Sequence, residues 1–269
     1  MDNVELPYNP SNMKKYNSRR LKRCLTDVQF VYEDSTNFYS FYELCSFVSC
    51  MVAVITGSPY YDLVFPQQSS TDYVKLTPVK EMSLTAFTLC IRAFTDLDRP
   101  YSLFSYATSS KDNELLLFAT AKDQYEFNIA NNNVLFRVTN LRSTWNHFCV
   151  TWDSRTGLLE LRINGERLVR KGLAKGYTIK SGGVIILGQE QDSLEGGFQA
   201  DQSFVGELNN VNLWDYVLTP QQIRAATYGT LSIPGNVIDW GTVEYAIKGY
   251  VIVVTDKEQC SSNINNPTC

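Results

Sequence analysis

The sequence predicts an all-β domain, a two-layer sandwich or jelly roll that carries one short helix. Short apolar runs recur along residues 61–255 with turn residues between them, the spacing expected of such a fold. Within several runs apolar and polar residues alternate, which is the period of a strand with one buried face. Aromatic residues make up 13% of the chain, and large rings favour the half-buried surface of a pleated sheet.

In chain order, Leu63 to Phe65 reads as a strand stopped by Pro66, because proline cannot donate to a ladder. Tyr73 to Leu76 and Leu84 to Phe94 continue with alternating apolar positions, and Leu115 to Phe118 is a short apolar run. Tyr125, Phe127 and Ile129 alternate with Gln124, Glu126 and Asn128, so this segment is half-buried. Asn131, Asn132 and Asn133 predict the next turn, since asparagine tolerates left-handed backbone. Val134, Phe136 and Val138 form the partner strand. Leu159, Leu161 and Ile163 face one way, with Glu160 and Arg162 opposite. Asn164-Gly165 is a type I′ hairpin dipeptide, and it returns the chain through Leu168 as far as Val169. Lys180 to Gly183 makes another turn.

The one helix begins at Thr219. Threonine can cap it, Pro220 suits the first helical position, and Gln222 completes a capping box. Leu218 and Ile223 are spaced as a hydrophobic staple, and Gly229 stops the helix. Tyr245 to Val254 is the last strand of the domain.

The totals exclude several functions. The formal net charge is −4 and the sequence pI about 5.2, so no bulk basic field exists to hold nucleic acid. The single histidine, His147, removes most zinc sites and leaves a Ser-His-Asp triad only if it is the base. The seven cysteines stand at 24, 45, 50, 90, 149, 260 and 269 without a Cys-x-x-Cys pair, against a metal knuckle or a thioredoxin-type centre. No run is long enough to span a membrane.

Residues 1–58 stand apart from the β pattern. Lys14, Lys15, Arg19, Arg20, Lys22 and Arg23 form a basic cluster, read as a solvated arm. Leu44 to Gly57 is apolar, has the length of a signal-peptide core, and ends in small residues. The expected division is an arm with a signal-like segment over 1–58, a folded domain over 59–256 and a flexible tail over 257–269.

The stretch that carries chemistry is Ile185 to Phe204. An apolar strand stops at Gly188, and the loop beyond it holds Glu190, Gln191, Asp192, Glu195, Gln199, Asp201 and Gln202 with no Lys or Arg. Calcium binds through several carboxylate and carbonyl oxygens, and this loop offers them. The spacing is not that of an EF-hand. By composition alone, a solvated acidic connection is the competing reading.

Separate blocks decide between the two. His147-Phe148-Cys149-Val150-Thr151-Trp152-Asp153-Ser154 fits the signature His-x-Cys-x-Ser/Thr-Trp-x-Ser. TDYVKL, YSLFSYATSSKDNELL, VRKGLAKGYTI, GGVIILGQEQDS and VGELNNVNLWDYVLTPQQI follow in order over about residues 62–255. The chain thus resembles the pentraxin family of C-reactive protein and serum amyloid P component. The resemblance implies a flattened lectin-like jelly roll of two antiparallel sheets and a disulfide between Cys90 and Cys149.

It also implies two adjacent calcium ions per subunit. The first would take Asp112, Asn113, Glu190, the backbone carbonyl of Gln191, and Asp192. The second would share Glu190 and Asp192 and add Gln202. At the position of Gln199 the family has a glutamate, so this residue offers an oxygen without charge and predicts a weakened second site. Asp201 or Glu195 is a candidate to compensate.

The implied ligand is anionic, such as phosphocholine or phosphoethanolamine. Leu116 and Phe118 match an apolar wall that takes choline methyls. Asn128 stands where the pocket has a threonine, and Asn133 where a glutamate faces the quaternary nitrogen. That substitution weakens selectivity for phosphocholine and places phosphoethanolamine, phosphorylated sugars and other anions beside it. The expected protein is a secreted, extracellular innate-immunity and acute-phase protein without enzymatic activity, assembled as a homo-pentamer. It would read microbial or damaged-cell surfaces by avidity. Complement recruitment does not transfer: Asn164 replaces an acidic residue, although Tyr228 matches a tyrosine. The rival functions are a carbohydrate-active hydrolase, which needs two carboxylates across a cleft, and a laminin-G-like adhesion module.

Overall fold

The computed structural model describes residues 61–138 and 144–255. The expected arm and signal-like segment over 1–58, the tail over 257–269, and Cys24, Cys45, Cys50, Cys260 and Cys269 lie outside them.

Two antiparallel sheets face each other as a jelly-roll sandwich. The first contains β1 (Tyr61–Phe65), β3 (Ala86–Phe94), β8 (Asn146–Asp153), β9 (Leu158–Ile163), β10 (Glu166–Arg167), β11 (Lys171–Gly172), β13 (Gly206–Trp214) and β15 (Ile252–Thr255). Its order is β10-β9-β8-β3-β13-β1-β15, with β11 pairing β9. The second contains β2 (Tyr73–Thr77), β4 (Tyr101–Ala107), β5 (Leu115–Ala121), β6 (Gln124–Ile129), β7 (Asn132–Arg137), β12 (Val184–Leu187) and β14 (Glu244–Lys248), in the order β14-β2-β12-β4-β5-β6-β7. The alternating residues meet between them in one core, which includes Phe87, Leu89, Leu115, Leu117, Phe127, Trp152, Leu161 and Leu187.

The helix α1 (Pro220–Tyr228) forms as its sequence dictates. The Thr219 hydroxyl accepts from the Gln222 N–H, the Gln222 side chain accepts from the Thr219 N–H, and Gly229 closes the end in the left-handed region at φ 66°. The staple residues Leu218 and Ile223 are buried with Trp214 against Cys90 and Cys149. The helix therefore covers the outer face of the first sheet where those two cysteines lie. They pair directly across β3 and β8 and are joined as a disulfide.

Two expectations are corrected, and one strand was not read at all. Tyr245 to Val254 is not one strand: it breaks at Gly249 (φ 69°), and β14 pairs β2 while β15 pairs β1 in the other sheet. Asp72 packs where a Cβ of residue 249 would sit, so a glycine is needed for the crossing. The turn expected over Asn131–Asn133 is built instead by Ala130 (φ 55°) and Asn131 (φ 64°), and Asn132 and Asn133 already belong to β7. Tyr101–Ala107 gives no alternation, yet forms β4. All seven of its residues are buried and a register shift interrupts it between Ser102 and Phe104, which erases the period of two.

Candidate metal centre and the adjoining sheet face

The acidic loop begins where β12 ends. Gly188 turns the chain at φ 90° against the Phe65 ring, which occupies the space a Cβ would need. The Phe204 N–H donates to the Gly188 carbonyl at 2.9 Å and closes the loop at its base. Glu190 and Gln202 each lie two residues inside that bond, on opposing limbs.

Two buried glutamines fix the outgoing limb. The Gln189 amide donates to the carbonyls of Ser69 (2.7 Å) and Asp72 (2.9 Å). The Gln191 amide donates to the carbonyls of Ser105 (3.2 Å) and Val184 (3.0 Å), and its oxygen accepts from the Glu195 N–H at 2.9 Å. With that side chain committed, the backbone carbonyl is the oxygen Gln191 retains for another partner. At the loop tip, Gly197 (φ 76°) passes so close to Asp192 that a Cβ there would lie 2.6 Å from the Asp192 Cβ.

Glu190 sits between the glutamines with 5% of its surface exposed. Burial, then the charges of Asp192 and Asp112, raise its carboxyl to a pKa of about 7; a hydrogen bond from Asn113 pulls the other way. Its Oε2 is buried without a hydrogen-bond partner, as are Oδ1 of Asn113 and Oε1 of Gln202. Buried oxygens of this kind are costly to leave unmatched.

Asp112 and Asn113 arrive from the turn before β5. The Asn131 amide donates to Asp112 Oδ1 at 2.7 Å, its side-chain oxygen accepts from the Asn113 N–H at 3.1 Å, and its N–H donates to the Asn113 carbonyl at 3.0 Å. Glu114, fully buried, anchors the same turn by accepting from the Tyr177 hydroxyl and the Lys180 N–H. Glu114 and Gln189 are positioning residues that the sequence reading did not single out, and Asn131, read there only as a turn residue, is a third. Glu114 left a signal, a lone carboxylate heading an apolar run.

Gln199 is exposed and donates its amide to Asp192 Oδ2 at 2.6 Å. The two candidates to supply the charge it lacks each face a basic residue. Glu195 is ion-paired to Lys75 at 2.8 Å, and Asp201 stands beside Arg99, whose guanidinium also holds its carbonyl at 3.2 Å. The oxygens of Asp112, Asn113, Glu190, Asp192 and Gln202 suit a hard cation. They are carboxylate and amide acceptors, three of them orphaned and buried, and Asp112, Asn113 and Asp192 lie close enough to Glu190 to act on its carboxyl.

The one set of three Cys, His, Asp or Glu ligand atoms found within 4.8 Å of one another among the described residues is elsewhere, at Cys90, His147 and Cys149. It is not a metal site, because both sulfurs are consumed in the disulfide. Among the described residues no three carboxylates of the acidic loop and the Asp112 turn come that close. His147 is structural: its Nδ1 lies 2.9 Å from the Thr227 hydroxyl, which already donates to the Ile223 carbonyl. The ring therefore donates from Nδ1. Burial, then Arg92, lower its pKa to about 4.

Beside the loop lies the outer face of the second sheet. The Gln191 N–H donates to Ser105 Oγ at 3.3 Å. From Ser105 the ladder runs in register through Leu116 and Asn128 to Asn133. The four expected ligand positions thus share one face: three stand in this row, and Phe118 stands two residues further along β5. Leu116 is buried, but it points away from the inter-sheet core that takes Leu115 and Leu117. Phe118 is half-buried and Asn133 exposed.

Comparison with known proteins agrees with this architecture. Residues 62–255 match the family model described as "Pentaxin family". The chain is 43% identical over 211 residues to human serum amyloid P-component, covering 77% of this chain and 94% of that protein. It is 48% identical over 190 residues to a bovine mucosal pentraxin, covering 71% and 85%. A solved heptameric SAP-like pentraxin from Limulus polyphemus shares the fold at a TM-score of 0.66 and 24% identity, covering 73% of this chain and 95% of that one. The sandwich, the disulfide under the helix and the extent of these matches lead to one conclusion: the chain belongs to the pentraxin family.

Proposed function

We propose that this pentraxin is a secreted, non-enzymatic recognition protein that holds calcium at Asp112, Asn113, Glu190, Gln191, Asp192, Gln199 and Gln202. Through that site it binds phosphorylated or other anionic head groups on surfaces. The observation that carries the reading is Glu190: a carboxylate buried between two fixed glutamines, beside Asp192 and Asp112, with an unmatched oxygen. A fold keeps such a group where a cation is its partner. Calcium, when bound, supplies the positive charge that draws an anionic oxygen to this face.

The residues divide the remaining work. Gln189, Gln191, Glu114 and Asn131 hold the donors in place. Leu116, Phe118, Asn128 and Asn133 form the surface beside them on which the rest of a head group rests. Gln199 brings no charge, so of two ion positions the one it serves is the weaker. A ring of subunits, pentameric as the family resemblance implies, would present these sites together and convert weak single contacts into avidity.

Thermal unfolding of the full chain tests the calcium site. Calcium is expected to raise Tm, because it binds the folded state alone. Glu190→Gln should raise Tm without calcium at pH 8, by removing a buried charge, and should abolish most of the calcium-dependent increase. An equal calcium effect in both proteins would contradict the assignment.

A further inference from the structure

The strand β14 ends the second sheet. It pairs β2 in unbroken register over Glu244 to Lys248, and no described residue pairs its other side. All five of its residues are exposed. Such an edge offers unpaired N–H and C=O groups to another strand, and folds that avoid the pairing use proline, a bulge or charge. β14 has neither proline nor bulge. Its charges are Glu244 and Lys248, one at each end, and neither takes part in an ion pair among the described residues.

These two charges do not repel a second copy of the same strand. Identical strands that pair antiparallel about a two-fold axis match positions equidistant from their centre. In Glu-Tyr-Ala-Ile-Lys that centre is Ala246. Pairing there sets Glu244 against Lys248, Tyr245 against Ile247, and Ala246 against itself. An axis at Tyr245 or at Ile247 instead pairs Ala246 with one charge and leaves the other without a partner in β14. The sheet faces agree with the Ala246 register. Tyr245 and Ile247 stand opposite Leu76 and Val74 of the core and share the inner face, whereas Glu244, Ala246 and Lys248 share the outer one. Tyr245 and Ile247 are each 37% exposed despite facing inward. Beside them a cleft of about 310 Å³ opens between the sheet edges, lined by Tyr61, Trp240, Val243, Tyr245 and Val253. Tyr61 stacks on both Trp240 (4.4 Å) and Tyr245 (5.4 Å) there. Ile247 of a second copy, laid beside Tyr245, adds apolar cover at the mouth of that cleft.

We propose that the free edge of β14 is an interface for a second copy of this chain, the two strands pairing antiparallel about Ala246 with Glu244 of each facing Lys248 of the other. The contact is isologous and closes on itself, which sets it apart from the repeated head-to-tail contact of a ring. It needs no calcium, because neither charge belongs to the acidic loop.

The test is sedimentation of the full chain in calcium-free buffer across a concentration series. Wild type is compared with Glu244→Lys, with Lys248→Glu, and with the double exchange of both. Wild type is expected to reach about twice the mass of either single variant, as a two-fold contact requires. Each single variant turns two attractions into two repulsions and should weaken association by about tenfold or more, on the scale of cross-strand charge pairs. The double exchange rebuilds both pairs with their signs reversed and should associate as wild type does. An equimolar mixture of the two single variants should also associate, since one strand then carries two lysines and the other two glutamates. Recovery on mixing shows that both single variants are folded. If wild type and the single variants sediment alike at every concentration, the edge is not an interface between copies. If the single variants are smaller but neither the exchange nor the mixture recovers, the pairing about Ala246 is overturned.

Discussion

Glu190 and His147 are both buried and titratable, and they respond to acid in opposite senses. Glu190 has a folded pKa raised to about 7. Its ionised form therefore opposes folding above its unfolded value, and the opposition is relieved as pH falls toward that value. His147 has a folded pKa lowered to about 4. The unfolded state then binds the extra proton between roughly pH 6.5 and 4, so the contribution of neutral His147 is complete above that window and lost on descending through it. The loss is on the order of 3 kcal/mol for a shift of this size. Relief of Glu190, of similar size, runs against this loss in wild type, so the His147 contribution is predicted to show in the difference: from pH 7 to 4, denaturant unfolding of His147→Gln loses less stability than wild type. Parallel pH profiles would contradict the burial of a neutral imidazole held by Thr227.

At the scale of elements, the hairpins and the helix were the most legible. Asn164 (φ 53°) and Gly165 (φ 84°) adopt the left-handed conformations their dipeptide announces, and the capping box at Thr219 forms as written. Thr219→Ala is expected to cost about 1 kcal/mol, read as a shift of the denaturation midpoint. Because α1 covers the disulfide rather than the acidic loop, calcium affinity should stay unchanged. A change in calcium affinity would show that the two faces are coupled. Local rules could not supply β4, whose bulge cancels the alternation, or the break at Gly249, which depends on Asp72, a loop residue distant in sequence. The acidic loop was legible as a collection of oxygens. Its geometry was not, because Gln189, Glu114 and Asn131 act through contacts to Ser69, Tyr177 and Asp112 that no spacing encodes. The isolation of Gln199 was half legible. Its missing charge shows in the sequence; that Glu195 and Asp201 are engaged by Lys75 and Arg99 shows only in three dimensions.

For the whole molecule, the two faces of the sandwich do different work. The first sheet carries the disulfide, the buried histidine and the helix, all of them structural. The link closes a 59-residue separation and in the chain-entropy description contributes about 4 kcal/mol. The second sheet carries the acidic loop at the edge of a face lined by Leu116, Phe118, Glu126, Asn128 and Asn133. One scaffold thus holds the acidic loop beside a graded polar and apolar surface, the arrangement the proposed head-group recognition requires. The measurement that tests this most directly is calorimetric titration of calcium into the full chain, with and without phosphocholine. Two unequal binding steps are predicted, the weaker one belonging to the position served by Gln199 and strengthened when phosphocholine is present. Absence of any calcium binding would contradict the account at its centre and leave Glu190 a buried charge without a function.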